Sequence, residues 1–253
     1  MLSRLFAGRR RKTSEAPAVP ADRRVYAIGD IHGRVELLRE LHAAILADAG
    51  AATATARTVV YLGDYVDRGR YSREVIDTLL DEALPGFESI HLLGNHEEFL
   101  LEFANSLNHA RIWLNNGGDA TLRSYGVEVP ASVYDDGDLA QAREHFFRVL
   151  PQRHLAFLHS LRRCHEIGDY FFVHAGVKPG VPLPRQKPDD MVWIRDEFLE
   201  SEADFGKIVV HGHSISRNID VRANRIGIDT GAYDTGVLSC LVLQGEDRRF
   251  LQT

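Results

Sequence analysis

A chain of 253 residues, 44% hydrophobic and 26% charged, is long enough to bury a substantial core and has the make-up of one large soluble domain. No apolar stretch approaches the roughly 20 residues that span a bilayer, and the N-terminus lacks the apolar core of a secretory signal, so the expected location is the cytoplasm. The net charge of -6 argues against a general nucleic-acid binder.

That total hides an asymmetry. Residues 1–24 carry Arg4, Arg9, Arg10, Arg11, Lys12, Arg23 and Arg24 against Glu15 and Asp22, a net +5 that leaves -11 for the rest. Charge, Ala and Pro without apolar periodicity predict a disordered basic tail over 1–24, since such a segment cannot offset its ordering entropy. One folded domain is expected over 25–253. Val25–Ile28 is a short apolar run without helical period, hence a buried strand. Val35, Leu38, Leu41 and Ile45 form one helical stripe ended by Gly50. Thr58–Leu62 repeats the strand signal, Ser72 caps a helix whose inner face is Val75, Ile76, Leu79 and Leu80, and Ile90–Leu93 is a third strand. This β-α-β-α-β run predicts a right-handed parallel sheet with ligands at the strands' carboxyl ends.

Beyond it, Glu97–Ala104, Leu139–Leu150 and His154–Leu161 have helical patterning, and a helical insertion is expected over about 97–165, beside the strands' carboxyl ends. Asn115–Gly118 is expected to be a structural turn. Four prolines between Pro179 and Pro188 predict a surface loop. Strands resume at Tyr170–Val173, Lys207–Val210, Arg225–Ile228, Val237–Leu243 and Arg249–Leu251, a late set that suggests a second, mixed or antiparallel sheet. Cys164 and Cys240 are far apart within apolar runs and are expected to be buried, reduced thiols.

Five strings follow apolar runs: Gly29-Asp30-Ile31-His32-Gly33, Gly63-Asp64-Tyr65-Val66-Asp67-Arg68-Gly69, Gly94-Asn95-His96-Glu97, His174-Ala175-Gly176 and His211-Gly212-His213. Each alone is ordinary strand-end punctuation. Together they place carboxylate, imidazole and amide groups at one mouth, without thiolate, a set suited to harder or borderline divalent ions. Asp30 and His32 alternate by two and can point to one side of an extended backbone. A carboxylate such as Asp64 has an oxygen for each of two ions about 3.5 to 4 Å apart.

On these motifs the chain resembles the phosphoprotein phosphatases, bacterial type, of the calcineurin-like metallophosphoesterase superfamily, from about Val25 to Leu243. The resemblance implies an α/β fold of two packed mixed β-sheets flanked by helices, with the active site at strand carboxyl ends. It implies that Asp30 and His32 bind the first metal, that Asp64 bridges both, and that Asn95, His174 and His213 complete the second. His96 matches the general acid, Asp67 its orienting carboxylate, Arg68 one phosphate-binding arginine, and the Trp193-Ile194-Arg195 segment points to Arg195 as the other. The implied cofactors are two divalent ions, manganese first, with iron, zinc or magnesium as alternatives. The implied reaction is attack of a metal-bridging hydroxide on a phosphomonoester of a phosphorylated protein or peptide.

Asp196, Glu197 and Glu200 offer Arg195 local ion pairs instead. His211 alternates with His213 and could face the metals too, although the family pattern favours His213. Ile215 stands where related metallophosphoesterases carry another histidine. Asp229 is expected to end a strand. Two other functions fit the motifs: a symmetrical dinucleoside polyphosphate hydrolase, disfavoured by Asp67 and Glu97, and an inactive binding module, disfavoured by the complete ligand set.

Overall fold

Along one short strand Val25 and Ala27 alternate with Tyr26 and Ile28, and all four are buried, so this strand requires a packed layer on each side. The computed structural model, which describes residues 16–52 and 54–253, supplies both. In chain order, β1 (Arg23–Ile28), α1 (Val35–Gly50), β2 (Ala56–Tyr61), α2 (Ser72–Asp81) and β3 (Glu88–His91) come first. A helical stretch follows: α3 (Asn95–Phe103), α4 (Leu107–Trp113), a turn over Leu114–Gly118 kinked at Gly117, α5 (Asp119–Ser124), α6 (Asp136–Val149) and α7 (Gln152–Ser160). The remainder comprises β4 (Cys164–Ile167), β5 (Tyr170–Val173), a 3-10 turn over Leu183–Arg185, α8 (Pro188–Trp193), α9 (Asp196–Leu199), β6 (Ile208–His211), β7 (Asp220–Val221), β8 (Arg225–Gly227), α10 (Ala232–Thr235), β9 (Ser239–Gln244) and β10 (Asp247–Gln252).

Two five-stranded mixed sheets result, ordered β10-β9-β1-β2-β3 and β4-β5-β6-β8-β7. In the first, β1, β2 and β3 run parallel, with Val25 opposite Thr58 and Val60 opposite Ile90. In the second, β5, β6 and β8 are parallel, flanked by antiparallel β4 and β7. Val25, Ala27, Val60 and Leu62 share one core with Tyr170, Phe172, Val210 and Ile226, so the sheets pack face to face. Tyr26, Ile28, Val59 and Tyr61 point the other way into a larger core made with α1, α2 and the middle helices. Phe171, Val173 and Val209 pack against Met191 and Phe198 of α8 and α9. Each of the five motifs follows directly on β1, β2, β3, β5 or β6, so parallel packing delivers all of them to one edge of the sandwich.

Several expectations need correction. The late strands do not form one sheet: β9 pairs antiparallel with β1, Val25 opposite Leu243, and β10 pairs with β9. A hydrophobic run specifies that a strand is buried but not which edge it joins. β4 and β7 carried no strand signal, since each is short and partly exposed. The tail boundary also shifts. Residues 1–15 lie outside the described residues, but Val19 is buried, its N–H donates to the Gly245 carbonyl at 3.0 Å, and Ala18 N–H donates to Asp169 Oδ2 at 3.0 Å. Both cysteines are free thiols as expected, with Cys240 buried and Cys164 only partly so.

Candidate metal centre

Among the described residues five non-glycines have left-handed backbone, His32 (φ 45°), Asp64 (53°), Asp67 (73°), Arg68 (66°) and His213 (63°), and all five lie in the motif loops. Such conformations cost free energy and persist only where the surroundings impose them. Here hydrogen bonds impose them. Ile31 and His32 N–H groups donate to the Asp64 carbonyl at 3.1 and 2.8 Å, and Arg68 N–H to the Gly117 carbonyl at 3.0 Å. The fully buried Glu97 carboxylate accepts the N–H groups of Asp64 (2.9 Å), Tyr65 (2.8 Å), Val66 (3.2 Å) and Gly94 (3.1 Å). It thereby pins the loop after β2 to the start of α3.

Asp64 lies at the middle of the resulting cluster. Its Oδ2 is 3.4 Å from His32 Nε2 and its Oδ1 is 3.4 Å from His174 Nε2, so its two oxygens face different imidazoles. His32 Nδ1 donates to the Val66 carbonyl at 2.8 Å and His174 Nδ1 to the Leu62 carbonyl at 2.9 Å. That choice of tautomer leaves both Nε2 lone pairs aimed inward. Asn95 Oδ1 sits 3.0 Å from His174 Nε2 and 2.8 Å from His213 Nδ1. Asp30 Oδ2 accepts His213 N–H at 2.9 Å, while Asp30 Oδ1 and His213 Nε2 are buried without a hydrogen-bond partner. Gly212 is required beneath this carboxylate, since a Cβ there would fall 2.0 Å from Asp30 Oδ1. Ligand atoms of His32, Asp64 and His96 form one group within 4.8 Å, and those of Asp64, His174 and His213 another.

The electrostatics match. Burial lowers the pKa of His32 to about 3 and depresses those of His174 and His213, so these imidazoles are neutral. Burial would raise Asp64, but His174, His96, His32 and His213 outweigh it and hold it below the usual carboxylate range. Burial, then the charges of Asp229 and Asp64, push Asp30 up. Neutral nitrogen lone pairs, an amide oxygen and crowded carboxylates converge with few protons between them. Divalent cations fit such an oxygen and nitrogen donor set and would relieve its repulsion.

Beside the cluster, His96 Nδ1 donates to Asp67 Oδ2 at 2.6 Å. Burial lowers the His96 pKa, but Asp64 and Asp67 outweigh it and the net shift is upward. Arg68 lies across the front, its guanidinium nitrogens 2.9 Å from His32 Nε2 and 3.1 Å from His96 Nε2 and its centre 4.8 Å from the centre of the Tyr233 ring.

The family model described as calcineurin-like phosphoesterase matches residues 23–236. The chain belongs to that family. It is 29% identical over 227 residues to the Escherichia coli (strain K12) protein named serine/threonine-protein phosphatase 2, covering 86% of this chain and 91% of that one. A shorter match, 40% over 88 residues, covers 34% of this chain and 25% of the Caenorhabditis elegans serine/threonine-protein phosphatase 6 catalytic subunit. Among solved structures, one described as a putative diadenosine tetraphosphatase superposes with TM-score 0.61 at 23% identity, covering 94% of this chain and 98% of that one. The cold-active protein-tyrosine phosphatase of a psychrophilic Shewanella superposes with TM-score 0.55 at 17% identity, covering 93% and 83%. Both likenesses speak for the fold.

As a calcineurin-like phosphoesterase the chain is a phosphoester hydrolase, and no helix among the described residues is long and apolar enough to cross a membrane. Nine of the ten residues singled out from sequence lie in or directly against the buried cluster. Arg195 is the exception: exposed at the start of α9, it is near enough for its charge to depress the His174 and His213 pKa values. It forms no ion pair with Asp196, Glu197 or Glu200 among the described residues, and Lys178 takes Glu197 at 3.4 Å. His211 turns away, its ring against Phe198 at 5.0 Å and its Nδ1 toward the Gly212 carbonyl. Asp229 does end a turn, accepting Gly231 N–H at 2.9 Å, but burial, with Asp64 nearby, raises it to about 6 and its charge acts on Asp30. Sequence reasoning gave no structural role to Glu97, whose spacing three residues after Gly94 was the available signal. It missed Trp113 and Thr121 altogether.

Proposed function

We propose that this phosphoesterase hydrolyses phosphomonoesters on serine or threonine of phosphorylated proteins. The observation that carries the reading is the buried His96–Asp67 pair at 2.6 Å beside Asp64, because a serine or threonine alkoxide leaves poorly without a proton donor. The 29% identity to a bacterial serine/threonine-protein phosphatase along 86% of the chain supports it.

In this reading Asp30 and His32 would hold one divalent ion and Asn95, His174 and His213 a second, with Asp64, whose two oxygens face His32 and His174, available to either. Manganese is the expected metal. Two such ions lower the pKa of water toward neutrality and offset charge on the phosphoryl oxygens. The chain's own groups do the rest. Arg68, and Arg195 from the rim, grip phosphoryl oxygens through paired N–H donors. His96 delivers a proton from Nε2 to the departing oxygen while Asp67 holds Nδ1–H and stabilises the charged ring.

The test compares a phosphoserine peptide, diadenosine tetraphosphate and an aryl phosphate, each with manganese and with chelator. The expected outcome is manganese-dependent hydrolysis of peptide and aryl phosphate, lost in chelator. Preferred cleavage of the dinucleotide would replace this reading, and activity undiminished by chelation would end it.

A further inference from the structure

The Asp67 carboxylate has more anchors than a partner for one histidine needs. Its Oδ2 accepts both His96 Nδ1 at 2.6 Å and the indole N–H of Trp113 at 2.8 Å, and its Oδ1 accepts the Thr121 hydroxyl at 2.6 Å. Its backbone N–H is held by Ser72 Oγ at 3.0 Å and Thr121 Oγ1 at 2.9 Å. Trp113 and Thr121 are both fully buried and lie 46 and 54 residues away, on α4 and α5. The kink at Gly117 between them sets both directions. Gly118 leaves room for the indole, since a Cβ there would fall 2.4 Å from Trp113 Cδ2. Gly117, at φ 103°, presents the carbonyl that receives Arg68 N–H.

A carboxylate tied only to His96 could swing about its Cβ–Cγ bond and exchange oxygens. With the indole on the same oxygen and a hydroxyl on the other, that rotation breaks three hydrogen bonds at once. The geometry points to Trp113 and Thr121 as positioning residues that lock the Asp67 carboxylate and so aim His96 Nε2 at the leaving oxygen. The inference rests on the role of His96 proposed above. It makes the Asn115–Gly118 turn, expected to be structural, a part of proton delivery.

Trp113→Phe removes the N–H and keeps most of the ring volume. It should lower kcat on a phosphoserine peptide on the order of 10-fold, but kcat on p-nitrophenyl phosphate, whose phenol leaves readily unprotonated, by no more than about 2-fold. KM and bound manganese should not change. Thr121→Val should show the same selectivity and Thr121→Ser should not, which keeps the inference testable if the Trp113 variant folds poorly. In the metal-free protein, the low-field proton resonance of His96 Nδ1–H should be visible in the wild type and broadened in Trp113→Phe. Equal losses on both substrates, no loss on either, or an unchanged resonance would overturn the inference. His96→Asn run in parallel separates the two levels. If it is itself unselective, the acid assignment fails and this inference with it. If it is selective while the Trp113 and Thr121 variants are not, only the inference fails.

Discussion

Two buried histidine clusters lie around β2, one at its carboxyl end and one on its helix-covered face. In the second, His42 of α1 meets the Tyr61 hydroxyl at 2.9 Å, and the Tyr61 ring stacks on His91 at 4.8 Å, itself edge-on to Phe157. Burial lowers both histidines to about 4, much as it lowers His32 to about 3. The difference lies in what the rings face. Around β2's helix-covered side the histidines meet aromatic rings and a hydroxyl, and none of their residues is left-handed. At the mouth they surround an ionised carboxylate and an amide oxygen, on strained backbone held by Glu97. Loss of charge by burial therefore does not mark a site. Convergence of unprotonated donor atoms does.

The most severe way to test that contrast is Asp64→Asn, which removes the carboxylate facing both imidazole groups. Activity should fall on the order of 10³-fold or more, with manganese content dropping on both sites by elemental analysis. A variant keeping two tightly held ions would break the comparison. His96→Asn should lower turnover on the order of 10²-fold while metal content stays level, since His96 is tied to Asp67. Metal loss would instead make His96 a ligand, as its place beside His32 and Asp64 allows. Arg68→Ala should weaken product inhibition by inorganic phosphate about 10-fold, read from inhibition constants.

The smallest effect concerns the other cluster. A histidine whose folded pKa is about 4, below its ordinary 6.5, is neutral in the folded protein but takes a proton on unfolding between those values. Stability of the metal-free protein should therefore be full above pH 6.5 and fall as pH drops toward 4. His91→Phe should remove about 1 kcal/mol of that loss, measured by urea unfolding at several pH values. Undiminished acid sensitivity would show that His91 is not a source of it.

The comparison also explains how far the sequence could be read. β1, β2, β5 and β6 were visible because the parts of them leading into the motifs are buried on both faces and so apolar. Asp30, Asp64 and His174 stand past such runs, whereas β3 lies at the half-exposed Glu88–His91, two residues before the expected Ile90–Leu93. Trp113 was not legible as a site residue. Inside the apolar run Ile112-Trp113-Leu114 an indole looks like core, and its N–H direction depends on a kink at Gly117 that only the packed helices impose. Thr121 fails for the same reason, being an ordinary helix residue until Asp67 is brought against it.

Local pattern alone thus determined the alternation of strands and helices, the residue types at each strand end and their order along the chain. Tertiary structure alone decided that β9 pairs with β1 and β10 with β9, that Arg195 stays at the rim, and that Glu97, Trp113 and Thr121 hold the loops in place. Backbone preference and burial act over a few residues and leave a periodic trace. A hydrogen bond across 46 residues depends on how separate elements pack, and leaves none.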